Sequence, residues 1–232
     1  MSYLYEMHAH IKEVSTCACS DAEKLASLYI DTEYTGIVLT DHMNFDTFDK
    51  KGLKDAPWDK KIDHFLTGYK ALKQAVGDKL IIIMAMEIHF YDNPNDYLVY
   101  GITEEFLRAH GDLMAMGAEK FSKLAHENGI IFIQAHPFRR DSKVTDWKIL
   151  DGYEIFNGNP RHYSCNPMAE EWAKYHNKSV VTSGSDFHEP EDAGHGGVYF
   201  EKKITTPQEL AEELRNGNYT LFKKKFKHTR PE

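Results

Sequence analysis

Cysteine is scarce: the 232 residues hold three, Cys17, Cys19 and Cys165. An odd number at these spacings offers no disulfide framework, which predicts a reducing, cytoplasmic setting. Long apolar runs are also missing. The longest, residues 80–86, falls far short of the ~20 residues that cross a bilayer, and no basic stretch precedes an apolar one at the N-terminus, so neither a membrane span nor a targeting signal is expected. Excess positive charge is absent as well: 28 Lys+Arg against 36 Asp+Glu leave a net charge of −8. Tight non-specific binding of long nucleic acid depends on basic side chains displacing counterions, and this composition argues against a stable nucleic-acid complex. A small anionic substrate held through metal ions is compatible with it. What the chain does have is 41% hydrophobic residues, enough for a sizeable core, and 13 histidines.

Apolar segments of strand length alternate with segments of helical period, and no long linker interrupts them, so one domain over residues 1–232 is expected. Strands are predicted at residues 4–7, 36–40, 80–86, 97–102, 129–135, 153–156 and 179–182, with a later extended piece at 198–204. Ser20 with Glu23 reads as a capping box for a helix to about Glu33. Further helices are predicted at 58–76, 103–110, 112–128 and 167–177, and after Thr206-Pro207 to near Gly217; residues 43–57 read as a long polar loop. Strands alternating with helices imply a parallel sheet, and about seven such units in this length favour a closed barrel.

The potential metal ligands fall at the ends of these strands. The first runs into His8-Ala9-His10, the second into Asp41-His42, the third into Glu87, the fifth into His136 and the seventh into Asp186-Phe187-His188. In a β/α barrel such ends converge on one mouth. Residues two apart on an extended chain share a face, which lets His8 and His10 hold one ion, and Asp186 and His188 have the same spacing. Imidazole mixed with carboxylate suits zinc, manganese or iron, and the set exceeds what one tetrahedral ion needs.

EMHAH (6–10), TDH (40–42), MEI (86–88), AHP (135–137), EIFN (154–157) and SGSDFH (183–188) occur in the order found in the PHP (polymerase and histidinol phosphatase) superfamily, which the chain resembles over nearly its whole length. The resemblance implies a distorted TIM-like (β/α)7 barrel and a site for two or three divalent ions. His8, His10, Glu87 and Asp186 correspond to ligands of the first ion; Glu87 would bridge to a second that also takes His136; His42 and His188 correspond to ligands of a third. Two positions depart from the family pattern. The fourth strand supplies no His, and Asp96 is the best substitute there, ahead of His89 and His110. A His after the first motif is also missing, with Cys17 or water in its place.

The activity implied is hydrolysis of a phosphate ester, with a water bridged by two ions as nucleophile. Asp186, His188, Arg139 and His195 are the candidates for catalysis; Arg139, Arg140, Arg161 and His162 are those for gripping a small phosphorylated substrate, since a guanidinium can hold phosphate oxygens bidentately. Of Arg139 and Arg140, only one is expected to act. Glu154 and Asn157 are expected to shape the mouth, Cys17 and Cys19 to be inert more often than ligating, and the basic end from Lys223 to Arg230 to be a solvated tail. The rival readings are a C–N hydrolase of the amidohydrolase type, on a related barrel, and a catalytically inactive metal-binding module.

Overall fold

Strand β1 (Tyr3–Ala9) pairs in parallel with β2 (Tyr34–Leu39), and β2 with β4 (Ile81–His89). The computed structural model describes residues 2–229; Arg230, read with the basic end, lies outside them. Along β4 the alternation is strict. Ile83 and Ala85 join Tyr5, Met7, Val38, Leu98, Tyr100, Ile131 and Ile133 in one buried cluster, while Met84, Met86 and Ile88 pack on the opposite side against helix α3 (Trp58–Val76). Period-2 side-chain placement therefore separates a barrel interior from a helix-covered exterior. Helix α1 (Ala22–Tyr29) covers part of that exterior with Leu25, Ala26 and Tyr29, the fully buried Leu25 side chain contributing about 1.5–3 kcal/mol. Helix α7 (Pro207–Asn216) closes the lower end, its Leu210, Ala211 and Leu214 joining the interior cluster.

The next strand, β5 (Asp96–Tyr100), is antiparallel to both β4 and β6 (Ile131–Gln134), and parallel pairing resumes with β7 (Gly152–Asn157) and β8 (Val180–Gly184). The sheet is therefore mixed, not all parallel, because the β4–β5 connection is a hairpin without a crossover helix. Beyond β1 the sheet continues through the antiparallel strands β9 (Gly196–Phe200) and β10 (Tyr219–Lys223). The residues after β8 return to β1: the His10 amide donates to the Phe187 carbonyl at 2.9 Å, and the Phe187 amide to the His8 carbonyl at 3.1 Å. Seven strands, β1, β2, β4, β5, β6, β7 and β8, thus make the nearly closed barrel that was expected. The seam is tight at Gly184, where any Cβ would collide with that of His8.

Four local expectations change. The 43–57 segment contains a short strand, β3 (His42–Met43), and helix α2 (Phe45–Lys50), capped by the Asn44 side chain. Asp21, not Ser20, caps α1, accepting from the Lys24 amide, and the helix stops at Tyr29. Residues 112–128 do not form one helix; a 3-10 turn at Leu113–Ala115 is separated from α5 (Ala118–Glu127) by Gly117 at φ 75°. The basic end is not a free tail, since β10 runs to Lys223 and Phe226 stacks on His195. Helices α4 (Glu104–Ala109) and α6 (Asn166–Tyr175) complete the exterior.

Candidate metal centre

The HxH pair does not reach the mouth by simple alternation. Tyr5 and Met7 face the interior, so an unbroken strand would turn His8 outward, yet its ring meets Glu87, Glu154 and Asp186. The β1–β2 register slips between Glu6 and Ala9, and this irregularity re-aims the side chain. The buried Glu6 carboxylate satisfies the amides released there: Oε1 accepts from the amides of Met7 and His8, each at 3.0 Å, and of Ser185 at 2.8 Å, while Oε2 accepts from the Tyr29 hydroxyl. Burial raises the Glu6 pKa against these hydrogen bonds. A charged residue inside an otherwise apolar strand was the available sign of this role, and the sequence reading passed over it.

Glu87 lies at the centre of the cluster. Its Oε1 is 3.3 Å from His8 Nε2 and 3.3 Å from His136 Nε2; its Oε2 is 3.3 Å from His10 Nε2 and 3.1 Å from His42 Nδ1. Each oxygen thus faces two imidazoles, the arrangement a bridging carboxylate needs. Asp186 is divided in a similar way. Oδ1 lies 3.4 Å from His8 Nε2, 3.5 Å from His10 Nε2 and 3.4 Å from His188 Nδ1, whereas Oδ2 accepts from Arg139 Nη2 at 2.7 Å and Asn157 Nδ2 at 3.2 Å. His136 and Asp186 both adopt positive φ, 28° and 51°, a cost that non-glycine residues bear mainly where their surroundings hold them for a task.

The approaches of His8 Nε2, His10 Nε2 and His42 Nδ1 to Glu87 are not hydrogen bonds. His8 Nε2, His10 Nε2, His42 Nδ1 and Glu87 Oε1 are buried without a hydrogen-bond partner, so four polar atoms converge with their bonding capacity unspent. Buried polar groups are otherwise nearly always paired, and a cation among them would satisfy all four. Among the described residues, three ligand groupings have donor atoms within 4.8 Å of one another: His8 with His10 and Glu87, Glu87 with Asp96 and His136, and His10 with His42 and His188. The donor set fits divalent transition metals. Asp96 arrives from an unexpected direction. Because β5 runs antiparallel, the start of that strand, not its end, lies at the mouth, with Asp96 opposite His89 and hydrogen-bonded to its Nδ1 at 2.9 Å.

Supporting contacts hold the imidazoles in place. Glu154 Oε1 contacts His8 Nδ1 at 2.8 Å, and its Oε2 accepts from the His136 amide and from Asn157 Nδ2, each at 3.0 Å. Such carboxylate–imidazole contacts fix ring orientation at metal sites. Asp41 accepts from the Ile11 amide and the Ser15 hydroxyl, and Ser15 Oγ lies 3.5 Å from His10 Nδ1; burial pushes the Asp41 carboxyl up to about 7. The electrostatics follow the packing. Burial opposes a charged His8, but Glu154, Asp186 and Glu87 outweigh it and raise its pKa. Burial, with His42 and His188 beside it, lowers that of His10. Burial is again outweighed at Glu87 and Asp186, where His8 leads the groups that hold the carboxyls well below their usual range.

A cavity of about 210 Å³ opens over the cluster, and Cys17, Arg139, Arg161 and His162 line it beside the candidate ligands. Arg139 also donates to Asn157 Oδ1 at 3.0 Å and to Ser164 Oγ at 3.2 Å. Arg161 is committed elsewhere: Nε and Nη2 donate to the two Asp192 oxygens at 3.0 and 2.7 Å. Arg140 points away, with 76% of its side chain exposed, and His195 is outside the cavity lining, its Nδ1 3.1 Å from the Gly158 carbonyl oxygen. Cys17 does line the cavity. Burial opposes its ionisation, but hydrogen bonds from His188 and His42 bring the thiol down to about 6.

A family model described as PHP-associated matches residues 164–219, the stretch that carries Asp186 and His188. No curated protein matches the chain. Among solved structures, a two-domain protein from Bacteroides vulgatus containing a predicted PHP-like metal-dependent phosphoesterase superposes with a TM-score of 0.64 at 16% identity, covering 97% of this chain and 65% of its own. The lesion-specific endonuclease PfuEndoQ from Pyrococcus furiosus gives 0.62 at 16% identity over 95% of this chain and 58% of its own. An amidohydrolase from Chromobacterium violaceum, bound to sulfate, gives 0.53 at 12% identity over 94% and 97%. This chain thus spans under two thirds of the first two. The matched segment is PHP-associated, and over nearly its whole length the chain shares the barrel fold of a protein containing a predicted PHP-like phosphoesterase.

Proposed function

We propose that the whole chain, as one domain, hydrolyses the phosphate ester of a small molecule with two or three divalent ions of zinc, manganese or iron. The observation that carries this reading is Glu87, a buried carboxylate with each oxygen facing two histidines under a cavity that also holds an arginine. His8, His10, Glu87 and Asp186 would hold one ion, Glu87, His136 and Asp96 a second, and His42 with His188 a third. Ions held there supply Lewis-acid charge to a phosphoryl group and lower the pKa of a bound water.

The chain's own side chains do the rest. Glu154 keeps the His8 ring turned toward the centre, and Arg139 holds Asp186 so that Oδ1 faces the imidazoles. Arg139 Nη1 makes no hydrogen bond among the described residues, which leaves that edge of the guanidinium for a phosphoryl oxygen growing more negative in the transition state. His162, whose pKa is lowered by burial and by Arg139, sits across the cavity as a neutral hydrogen-bonding partner. Arg140, Arg161 and His195 take no direct part in this reading, because two are paired or placed elsewhere and the third points to solvent.

The test is metal content and turnover on one preparation. More than one transition-metal ion per chain, with manganese-supported hydrolysis of p-nitrophenyl phosphate or its bis ester, supports the reading. Protein that binds metal but cleaves only C–N bonds supports the amidohydrolase alternative, and metal-bound protein inert to both substrate classes supports the inactive module.

A further inference from the structure

Beyond the candidate ligands, β3 and β4 continue outward side by side, with His42 opposite Glu87 and Met43 opposite Ile88. Two residues farther along β4 than Glu87, on the same face and about 7 Å away at ~3.3 Å per residue, stands His89. It belongs to a second cavity of about 340 Å³, lined by Asn44, Phe45, Asp46, His89, Phe90 and Tyr91. The hydrogen-bonded pair His89–Asp96 stands between the two hollows, His89 lining the outer one and Asp96 the inner. None of the chemistry proposed above uses this outer cavity.

Its walls are unusual for a surface hollow. Phe45 and Tyr91 are 39% and 49% exposed, and their rings meet edge to face with centroids 6.3 Å apart. Both are held in place. The Tyr91 hydroxyl donates to Asp112 Oδ2 at 3.0 Å, and Lys54, which lines the hollow behind this wall, lies 5.0 Å from the Phe45 ring centroid. Exposed but fixed aromatic faces are a ready stacking surface, because little side-chain freedom remains to be lost on binding. Asp46 also lines it, a carboxylate able to accept from hydroxyl or amino groups and unfavourable to a second phosphate.

We infer that this outer cavity binds a flat aromatic ring in the leaving group of the substrate, so that the phosphoryl group enters the inner cavity while the ring stacks against Phe45 and Tyr91. The inference rests on the phosphoesterase reading for its orientation, whereas ring binding itself can be measured without turnover. The class is a phosphomonoester of a ring-bearing alcohol. A nucleoside and an aryl or imidazolyl alcohol share that chemistry, and the Asp46 carboxylate disfavours a continuing polynucleotide.

The experiment has two arms. In the first, saturation-transfer NMR on the metal-free protein uses adenosine, imidazole ethanol, benzyl alcohol and ribose as probes. Ring protons should receive saturation and ribose should not; Tyr91→Leu and Phe45→Leu should abolish the transfer, and Tyr91→Phe, which keeps the ring and loses only its tie to Asp112, should weaken it without abolishing it. In the second, KM for a nucleoside monophosphate is compared with KM for glycerol phosphate. Each leucine variant should raise the ratio of the two by about tenfold, the scale of losing one aromatic stacking contact, and Trp147→Leu, at an exposed aromatic outside this cavity, should leave it unchanged. Which probe binds best separates nucleoside from simple aryl. Equal binding of ring and ribose, transfer that survives in the leucine variants, loss in Tyr91→Phe, or an equal rise of both KM values would each overturn the inference. Ring binding without phosphatase activity would leave the subsite standing and remove the reaction assigned to it.

Discussion

The inner and outer parts of the ligand cluster are built differently. Around Glu87, His8 and Asp186, side chains are at most 2% exposed and two of the three candidate ligands are braced: His8 by Glu154, and Asp186 by Arg139 and Asn157. At the outer edge, His42 and His188 have 12% of their side chains exposed, and no carboxylate orients the His42 ring apart from Glu87 itself. The neighbour there is Cys17, on the loop that follows β1. Braced ligands in a low-dielectric interior hold their geometry and bind tightly; ligands on a loop at the solvent edge adapt and exchange. The inner positions therefore look suited to the chemistry, and the outer one to tuning it.

Removing the shared inner carboxylate should break this contrast most severely. Glu87→Gln is expected to abolish stoichiometric metal at every position and to lower kcat/KM by about 10³-fold or more, as when the main charge stabilisation of a transition state is lost; elemental analysis and p-nitrophenyl phosphate turnover check both. Removing a brace should cost less. Glu154→Gln keeps all the ligands and is expected to weaken metal binding by 10–100-fold, read by competition with a chromogenic chelator.

Acidity should separate the two regions by degree. Imidazoles must be neutral to ligate, so metal uptake releases protons and falling pH favours release. Despite burial, neighbouring groups raise the pKa of His42 and His188 and also of His8, so protons compete in both regions; His42 and His188, with 12% of their side chains exposed against 0% for His8, are the ones solvent reaches first. Stepwise acidification from pH 8 should therefore release the outermost ion first, with metal content falling in at least two stages. Smallest of all, Cys17→Ser should remove a thiolate-to-metal charge-transfer band from the cobalt-substituted protein and change turnover by less than about tenfold. A variant that retains the band would show that Cys17 is not a ligand.

The strand ends bearing His8, His10, His42, Glu87, His136, Asp186 and His188 were legible from the sequence because apolar runs of strand length each stop at a polar residue of a type that can bind metal. Asp96 was legible as a residue type and not as a direction, since no local pattern shows that β5 is reversed. The arginines show the opposite limit. Arg139 and Arg140 are neighbours with identical chemistry, yet one reaches Asp186 and the other solvent, a difference that arises in the turn after β6. Arg161 looked equally available until Asp192, 31 positions on, took the Nε–Nη2 edge of its guanidinium and Glu189 approached Nη1 at 3.3 Å. Glu6 was the clearest omission, because its partners Ser185 and Tyr29 are brought to it only when the barrel nears closure.

By itself the sequence determined the alternation of strands and helices, the absence of an apolar segment long enough to span a bilayer, and the order in which imidazoles and carboxylates are delivered. Those properties are local, resting on side-chain period and residue type within a few positions. Only the tertiary structure decided which atoms converge: the slipped register that turns His8 inward, the antiparallel strand that presents Asp96, and the pairing that ties Arg161 to Asp192 while Arg139 reaches Asp186. Contacts between residues more than a hundred positions apart, such as Glu6 with Ser185 or His8 with Glu154, depend on the curvature and near-closure of the whole sheet, and no short window of sequence contains that information.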